Sequence, residues 1–211
     1  LWVEEGRKLF AAFRDRDLAG EVWFALMVDG VHLAHDLVAV VAVGLTADGR
    51  KVVLDFELGA VENFEVCNRL LARIKSRGVT FAGPPLAILD GGDQLTNAVL
   101  HHYTDAHIQR CLVHKERNIR SYLSHRHHGE LALHFKFLRQ AEGEKAARER
   151  LESLRRFLTS HSRKALASLD EAGDDLITLH RFHAPSTINS SLLSTNKDEN
   201  IVHSSRRKLD P

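Results

Sequence analysis

The 211-residue sequence predicts an α/β fold: a mixed five-stranded sheet with flanking helices, interrupted by an all-helical insertion. Three observations predict it. Apolar runs between residues 22 and 58 are joined by short turn signals, as in an antiparallel meander. Two further apolar runs, 86–89 and 106–113, each follow a helical segment, as parallel partners do. From about 114 to 183 only helical periodicity remains.

Each element has its own signal. Residues 1–18 read as a helix with Trp2, Leu9, Phe10 and Phe13 on one face. Residues 22–28 (VWFALMV) form a buried strand stopped by Asp29-Gly30, and 37–45 (LVAVVAVGL) form a second strand ending in a hairpin signal. Residues 52–58 alternate, with Val52, Leu54, Phe56 and Leu58 on one side and Val53, Asp55 and Glu57 on the other. Residues 62–77 place Phe64, Cys67, Leu70, Leu71 and Ile74 at helical spacing, and Gly78 stops the helix. Pro84-Pro85 reads as a loop, 86–89 (LAIL) as a short strand before Asp90, 93–103 as a helix and 106–113 as the fifth strand. Three strands, helix, strand, helix, strand is the order of the RNase H-like fold. Leu151, Leu154 and Leu158 mark a helical stripe that Leu166 and Leu169 continue. The expected divisions are a residual helix at 1–19, a sheet core at 20–113, a helical insertion at 114–184, and a loop and final core helix at 185–211.

Composition narrows the function. With 44% hydrophobic and 27% charged residues, a wholly disordered chain or a disulfide scaffold is excluded. The longest apolar stretch, Val38 to Leu45, is too short to span a bilayer, so no membrane partner is expected. Cys67 and Cys111 are expected as free thiols in a reducing compartment. The net charge of +1 hides an asymmetry: residues 110–164 carry 14 Lys and Arg against 6 Glu, and the remainder carries 15 basic and 22 acidic residues. A basic stretch beside an acidic part fits a polyanionic partner, although a solvated helical face explains the same charges. No Walker A loop, no Gly-x-Gly-x-x-Gly after a strand and no Gly-x-Ser-x-Gly is present.

The chemistry-bearing candidates are acids. Asp29 follows the first strand and Asp90 the fourth, which lie side by side in a sheet of this order. Two carboxylates held close are unfavourable unless a cation lies between them. Magnesium takes one or two carboxylates with water and phosphate oxygens. Two such ions roughly 3.5–4 Å apart clamp the attacking and leaving oxygens of phosphoryl transfer. Asp-Gly after a strand is also ordinary turn chemistry. Glu199 is a third candidate, and Asn196 three residues before it equally fits a capping box. Cys111 and His114 have the spacing of half a zinc site, with no second pair in view.

Six segments carry a resemblance: MVDGVHL (27–33), VVAVGLTADGRKVVLDFELGAVEN (40–63), ILDGGDQL (88–95), QRCLVHKERNI (109–119), TLHRF (178–182) and STNKDEN (194–200). Together they resemble the bacterial Mutator-type insertion-sequence transposases, DDE recombinases with an RNase H-like core, over about residues 20–200. The resemblance implies that Asp29, Asp90 and Glu199 are the three catalytic and metal-binding acids, served by two Mg2+ or Mn2+ ions. Cys111 and His114 match the family's Cys-x2-His motif. The helical stretch between Asp90 and Glu199 matches the family's insertion, whose basic residues, Arg110, Lys115, Arg117 and Arg120 among them, would hold phosphates without reading sequence.

Family members cut the element's DNA ends with an activated water and join the freed 3′-hydroxyl to target DNA. Such a protein is expected in the bacterial cytoplasm, nucleoid-associated on DNA, and as a homo-oligomer when active. At the third acid the family usually has Thr-Asn-x-Ile-Glu-Ser, whereas this chain has Asp198 before Glu199 and ends 12 residues later. Family members also carry an N-terminal DNA-reading region, and nothing precedes residue 1 here. Those departures predict a truncated copy. The alternative is therefore an inactive fragment that at most binds DNA. A different RNase H-like nuclease would not need the insertion and ranks last.

Overall fold

The computed structural model describes residues 2–182 and residue 192. Strands β1 (Val22–Ala34), β2 (Leu37–Thr46), β3 (Lys51–Gly59), β4 (Thr80–Leu89) and β5 (His107–Arg110) form one sheet in the order β3-β2-β1-β4-β5. β1 runs antiparallel to β2 and parallel to β4, and β2 runs antiparallel to β3, so the sheet is mixed. Helix α1 (Trp2–Asp15) precedes it, and α2 (Phe64–Ser76) and α3 (Asp93–His102) supply the connections into β4 and β5. Helices α4 (Leu112–Ser121), α5 (His128–Arg139), α6 (Gly143–Thr159) and α7 (Arg163–Ala172) follow, with 3-10 turns at His125–His127, Gly173–Leu176 and Thr178–Arg181. The chain divides into two compact units, Leu1–His107 and Ile108–Pro211. No helix among the described residues is long and apolar enough to cross a membrane.

In the first unit the centre of the sheet is buried on both faces: Ala25 and Leu26 on β1, and Leu86 to Leu89 on β4, are all inaccessible or nearly so. Such continuous apolar runs belong to strands covered on two sides. Helix α2 contributes Val66, Cys67, Leu70, Leu71 and Ile74 to the core. The amide of Gly78 donates to Lys75 O at its end, as the sequence predicts for a helix stop. Each fully buried Leu contributes about 1.5–3 kcal/mol by leaving water.

Three sequence expectations are corrected by strand pairing and one by exposure. Asp29-Gly30 is not a turn: β1 continues to Ala34 because Asp29 to His32 stay in register with Val41 to Val38 of β2. Pro84 and Pro85 lie inside β4, at a slip where Trp23 and Ala25 of β1 face Phe81 and Leu86. Proline has no amide to donate, so such irregularities accommodate it. The alternation in β3 fails at a bulge, where Ala42 pairs Asp55 but Val43 pairs Val53, and Asp55 turns inward. On α1, Leu9 is outward and exposed, while Phe10 and Phe13 pack near Phe56.

The second unit has its own apolar core. Leu112, Ile119, Leu131, Phe135, Leu138, Leu151, Leu154, Leu158 and Leu169 cluster there, and Leu166 packs against it half-buried. This is the stripe the periodicity predicts. Leu112 and Val113, expected in the fifth strand, belong to helix α4, and the strand ends at Arg110.

Candidate active site

The pairing of β1 with β4 ends at Val28↔Leu89, so Asp29 and Asp90 are the next residues on two adjacent parallel strands. β1 remains paired to β2 beyond this point, and β4 leaves the sheet. The fork lies where the parallel pairing of β1 and β4 stops and strand order reverses, the place where open α/β sheets bind ligands. Both acids are half-buried.

Local structure sets Asp90. Its Oδ1 accepts the Gly92 amide at 3.1 Å, and Gly91 between them has φ 111°, a left-handed conformation suited to glycine. Gly92 is also the N-cap position of α3. The carboxylate is thereby held at the start of a helix, whose amide end favours negative charge.

The Gly59-Ala60-Val61-Glu62-Asn63 segment delivers a third acid to this fork. The Asn63 side chain accepts the Val66 amide at 3.0 Å and caps α2. Gly59 lets α2 come close, because a Cβ there would stand 2.8 Å from Val66 Cγ2. Glu62, just before the cap, extends to the glycines that follow both aspartates. A Cβ on Gly30 would overlap its Oε2, and one on Gly92 would lie 3.4 Å from its Oε1 and 3.8 Å from Asp90 Oδ1. Behind them Cys67 is fully buried. Burial, together with the charges of Glu62 and Asp90, pushes its thiol up to about 12. The sequence signal for Glu62 was the Gly-x-x-Glu-Asn pattern, which on its own names no role. Among the described residues, no three His, Cys, Asp or Glu side chains converge closely enough as they stand to hold a metal ion. Glu199 lies outside the described residues.

The Gln-Arg-Cys-x-x-His-Lys run is a junction within the second unit. The buried Gln109 side chain accepts the Leu179 amide at 2.7 Å and donates to Leu176 O at 3.0 Å. Arg110 makes a two-point pair with Glu171 at 2.7 and 3.2 Å. Cys111 is the buried N-cap residue of α4, and His114 is half-buried on its first turn. Lys115, 2% exposed, donates to Glu171 Oε2 at 2.6 Å and to Ser168 O at 3.0 Å. Although burial alone would raise the Glu171 pKa, hydrogen bonds from Arg110 and Lys115 outweigh it and hold the carboxyl below its ordinary value. Of the four cations expected to meet phosphate, Arg110 and Lys115 are thus committed to Glu171. Arg117 is exposed, and Arg120 is half-exposed beside Glu116. Sequence reasoning missed Gln109 and Glu171, since their tertiary partners lie 56 to 70 residues away along the chain.

The fold is thus an α/β protein with a mixed sheet, in which Asp29 and Asp90 follow the last paired residues of β1 and β4. The sequence comparison is more specific. Residues 4–210 match the family described as "Transposase, Mutator family", and the chain belongs to that family. It is 30% identical over 171 residues to the transposase for insertion sequence element IS1201 of Lactobacillus helveticus, covering 81% of this chain and 45% of that protein. Against the IS905 transposase of Lactococcus lactis it is 29% identical over 204 residues, 94% of this chain and 51% of that one. Against the IS6120 transposase of Mycolicibacterium smegmatis it is 30% identical over 188 residues, 87% and 56%. The chain therefore spans about half the length of these relatives.

Proposed function

We propose that this chain is a DNA transposase catalytic core that cleaves DNA at transposon ends and transfers the strand to target DNA. The observation that carries the reading is the register of β1 and β4, which sets Asp29 and Asp90 side by side in a chain of the Mutator family. On this reading the sheet is RNase H-like and α4 to α7 form the family's helical insertion.

The donors suit a hard cation. Asp29 and Asp90 offer carboxylate oxygens. Asp29 and Asp90 would hold Mg2+ or Mn2+, with Glu199 as the family's third acid. Two such ions, when bound, supply charge stabilisation for the attacking and leaving oxygens of phosphoryl transfer. The Gly92 amide holds one Asp90 oxygen and so orients the carboxylate. Arg117 and Arg120 lie toward solvent on α4 and would contact backbone phosphates. Active forms would be homo-oligomers, because two element ends must be joined in one reaction.

The test is nicking or joining of DNA carrying the matching element ends in Mg2+ or Mn2+. Wild type is expected to react, and Asp90→Asn to abolish the reaction. If both are equally inert, the chain is a non-catalytic fragment. DNA affinity of either form is expected to fall steeply with salt, and salt-independent binding would reject the phosphate contacts.

A further inference from the structure

We infer that one part of the helical unit is a DNA-phosphate surface tuned by pH. Arg126, Arg163 and Lys164 supply its fixed charge, and the facing imidazoles of His127 and His161 add charge as pH falls. The inference rests on the reading that this chain acts on DNA, and it assigns phosphate contacts to residues other than Arg117 and Arg120.

The 3-10 turn His125–His127 meets the turn between α6 and α7 here. The rings of His127 and His161 lie 4.1 Å apart between centroids. The buried Phe157 ring lies 4.6 Å from His161 and 4.9 Å from His134 of α5, so the group is packed in place. Hydrogen bonds fix the protons. His161 Nδ1 donates to Phe157 O at 2.6 Å, so this ring takes its second proton on Nε2. Arg126 Nε donates to His127 Nε2 at 3.0 Å, and a guanidinium accepts nothing, so that imidazole nitrogen is unprotonated in this arrangement. Burial and the charges of His161, Arg126 and His128 lower the His127 pKa, against Glu130 from the start of α5.

Charge here is not compensated within the protein. Residues 159–166 hold Arg163 and Lys164 and no acid, and residues 121–134 hold Arg126 with Glu130 as their one acid. Other arginines of the unit are paired: Arg148 with Glu144 and Asp174, and Arg155 with Asp170. Arg163 and Lys164 are exposed and have no acidic partner among the described residues. They also open α7, where the helix dipole disfavours cations, so the helix gains nothing from their charge. A polyanion reverses each unfavourable term: it pairs with the fixed cations and stabilises the charged imidazoles. In a chain of the Mutator transposase family that polyanion is DNA. Phosphate favours the charged form of each ring, so affinity is gained as pH falls through the histidine range.

Binding of the full chain to a labelled DNA duplex, followed by fluorescence anisotropy across a salt series at pH 7.5 and pH 6.0, tests the surface. Each phosphate contact adds about 0.9 to the slope of log affinity against log salt. Arg163→Gln with Lys164→Gln should flatten the slope by about 1.8, so the affinity lost between about 50 and 200 mM salt shrinks about 12-fold. Wild type should bind more tightly, with a steeper slope, at pH 6.0 than at pH 7.5. His127→Gln with His161→Gln should abolish that difference and leave binding at pH 7.5 unchanged. If that pair does not fold, His161→Gln alone, at an exposed position, should reduce the difference. An unchanged slope in the Arg163 and Lys164 variant, or a pH difference that survives the histidine changes, overturns the proposal. If Arg117→Gln with Arg120→Gln still flattens the slope, the DNA reading stands without it. Loss of binding to phosphatidylserine vesicles in the Arg163 and Lys164 variant, with DNA binding intact, assigns the surface to lipid headgroups and also overturns the proposal. Wild type that does not bind DNA, or binds it independently of salt, overturns both readings.

Discussion

Two groups of acids in the first unit meet opposite fates. Asp55, turned inward by the β3 bulge, is fully buried and ringed by arginines: Arg73 at 2.5 Å, Arg77 at 3.1 Å and Arg14 at 3.7 Å. Asp90 accepts one backbone amide and has no cationic side chain paired with it among the described residues. Its charged neighbour at Gly92 is another acid, Glu62. The fold supplies the counter-charge for Asp55 from α1 and α2. Where the β1–β4 pairing stops, it sets Glu62 and Asp90 near the same glycine. A buried acid with built-in partners is structural, and a half-buried acid beside another acid is the candidate for chemistry.

The largest effect should come from breaking the compensated group. Asp55→Ala leaves three guanidinium groups around a vacated site and is expected to cost about 3–5 kcal/mol in urea unfolding. Asp90→Asn should leave stability unchanged or raise it, since it relieves repulsion. If the two variants destabilise equally, the contrast between the groups is lost.

Adding a cation should sharpen the contrast from the other side. Mg2+ or Mn2+ at about 100 times its dissociation constant should stabilise wild type by about 2.7 kcal/mol, seen as a higher melting temperature. Asp90→Asn should lose that gain, whereas a change at Asp55 should lower the melting point with or without metal.

The second unit offers an intermediate case, a buried cation served by a half-exposed acid. Glu171→Ala leaves Lys115 buried with Ser168 O as its remaining acceptor. A cost of about 1–3 kcal/mol is expected, below the Asp55 figure because solvent screens the exposed side of Glu171. Chemical denaturation measures it, and a loss equal to that of Asp55→Ala would contradict the ranking.

The smallest expected effect is pH-dependent. Burial lowers the pKa of His134 and of His180 in the second unit, so the folded state disfavours their charged forms. Their contribution to stability is full above the ordinary histidine range and is lost as pH falls through it. Melting at pH 7.5 and at pH 5.5 should show the acid-side loss, and His134→Gln should reduce it.

Much of the architecture was legible in the sequence. Apolar runs and turn signals identified the β1–β2–β3 meander, because pleat and burial act over a few residues. Helical spacing identified the core faces of α2 and α6 through Leu70, Ile74, Leu151 and Leu154. Element limits were less legible. Asp29-Gly30 has turn composition yet continues a strand, because β2 supplies hydrogen bonds past the point where β4 stops. Pro84-Pro85 has loop composition yet lies in β4, at a slip in pairing that no local pattern reveals. Of the candidate site, Asp29 and Asp90 could be named from position alone, whereas Glu62 could be reached only once α2 was placed against the strand ends.

By itself, then, the sequence determined the mixed α/β sheet, the core faces and the membership of a transposase family. Tertiary structure alone decided which charges are spoken for. Asp55 and Lys115 resemble surface residues in sequence and are buried among counter-charges; Arg110 is held by an acid 61 residues away. Charge compensation depends on distance in space, and Coulomb energy depends on the surrounding dielectric. Neither quantity is set by neighbours along the chain, so only the folded sheet and helices could separate acids that hold the fold from the candidate acids proposed to hold a cation.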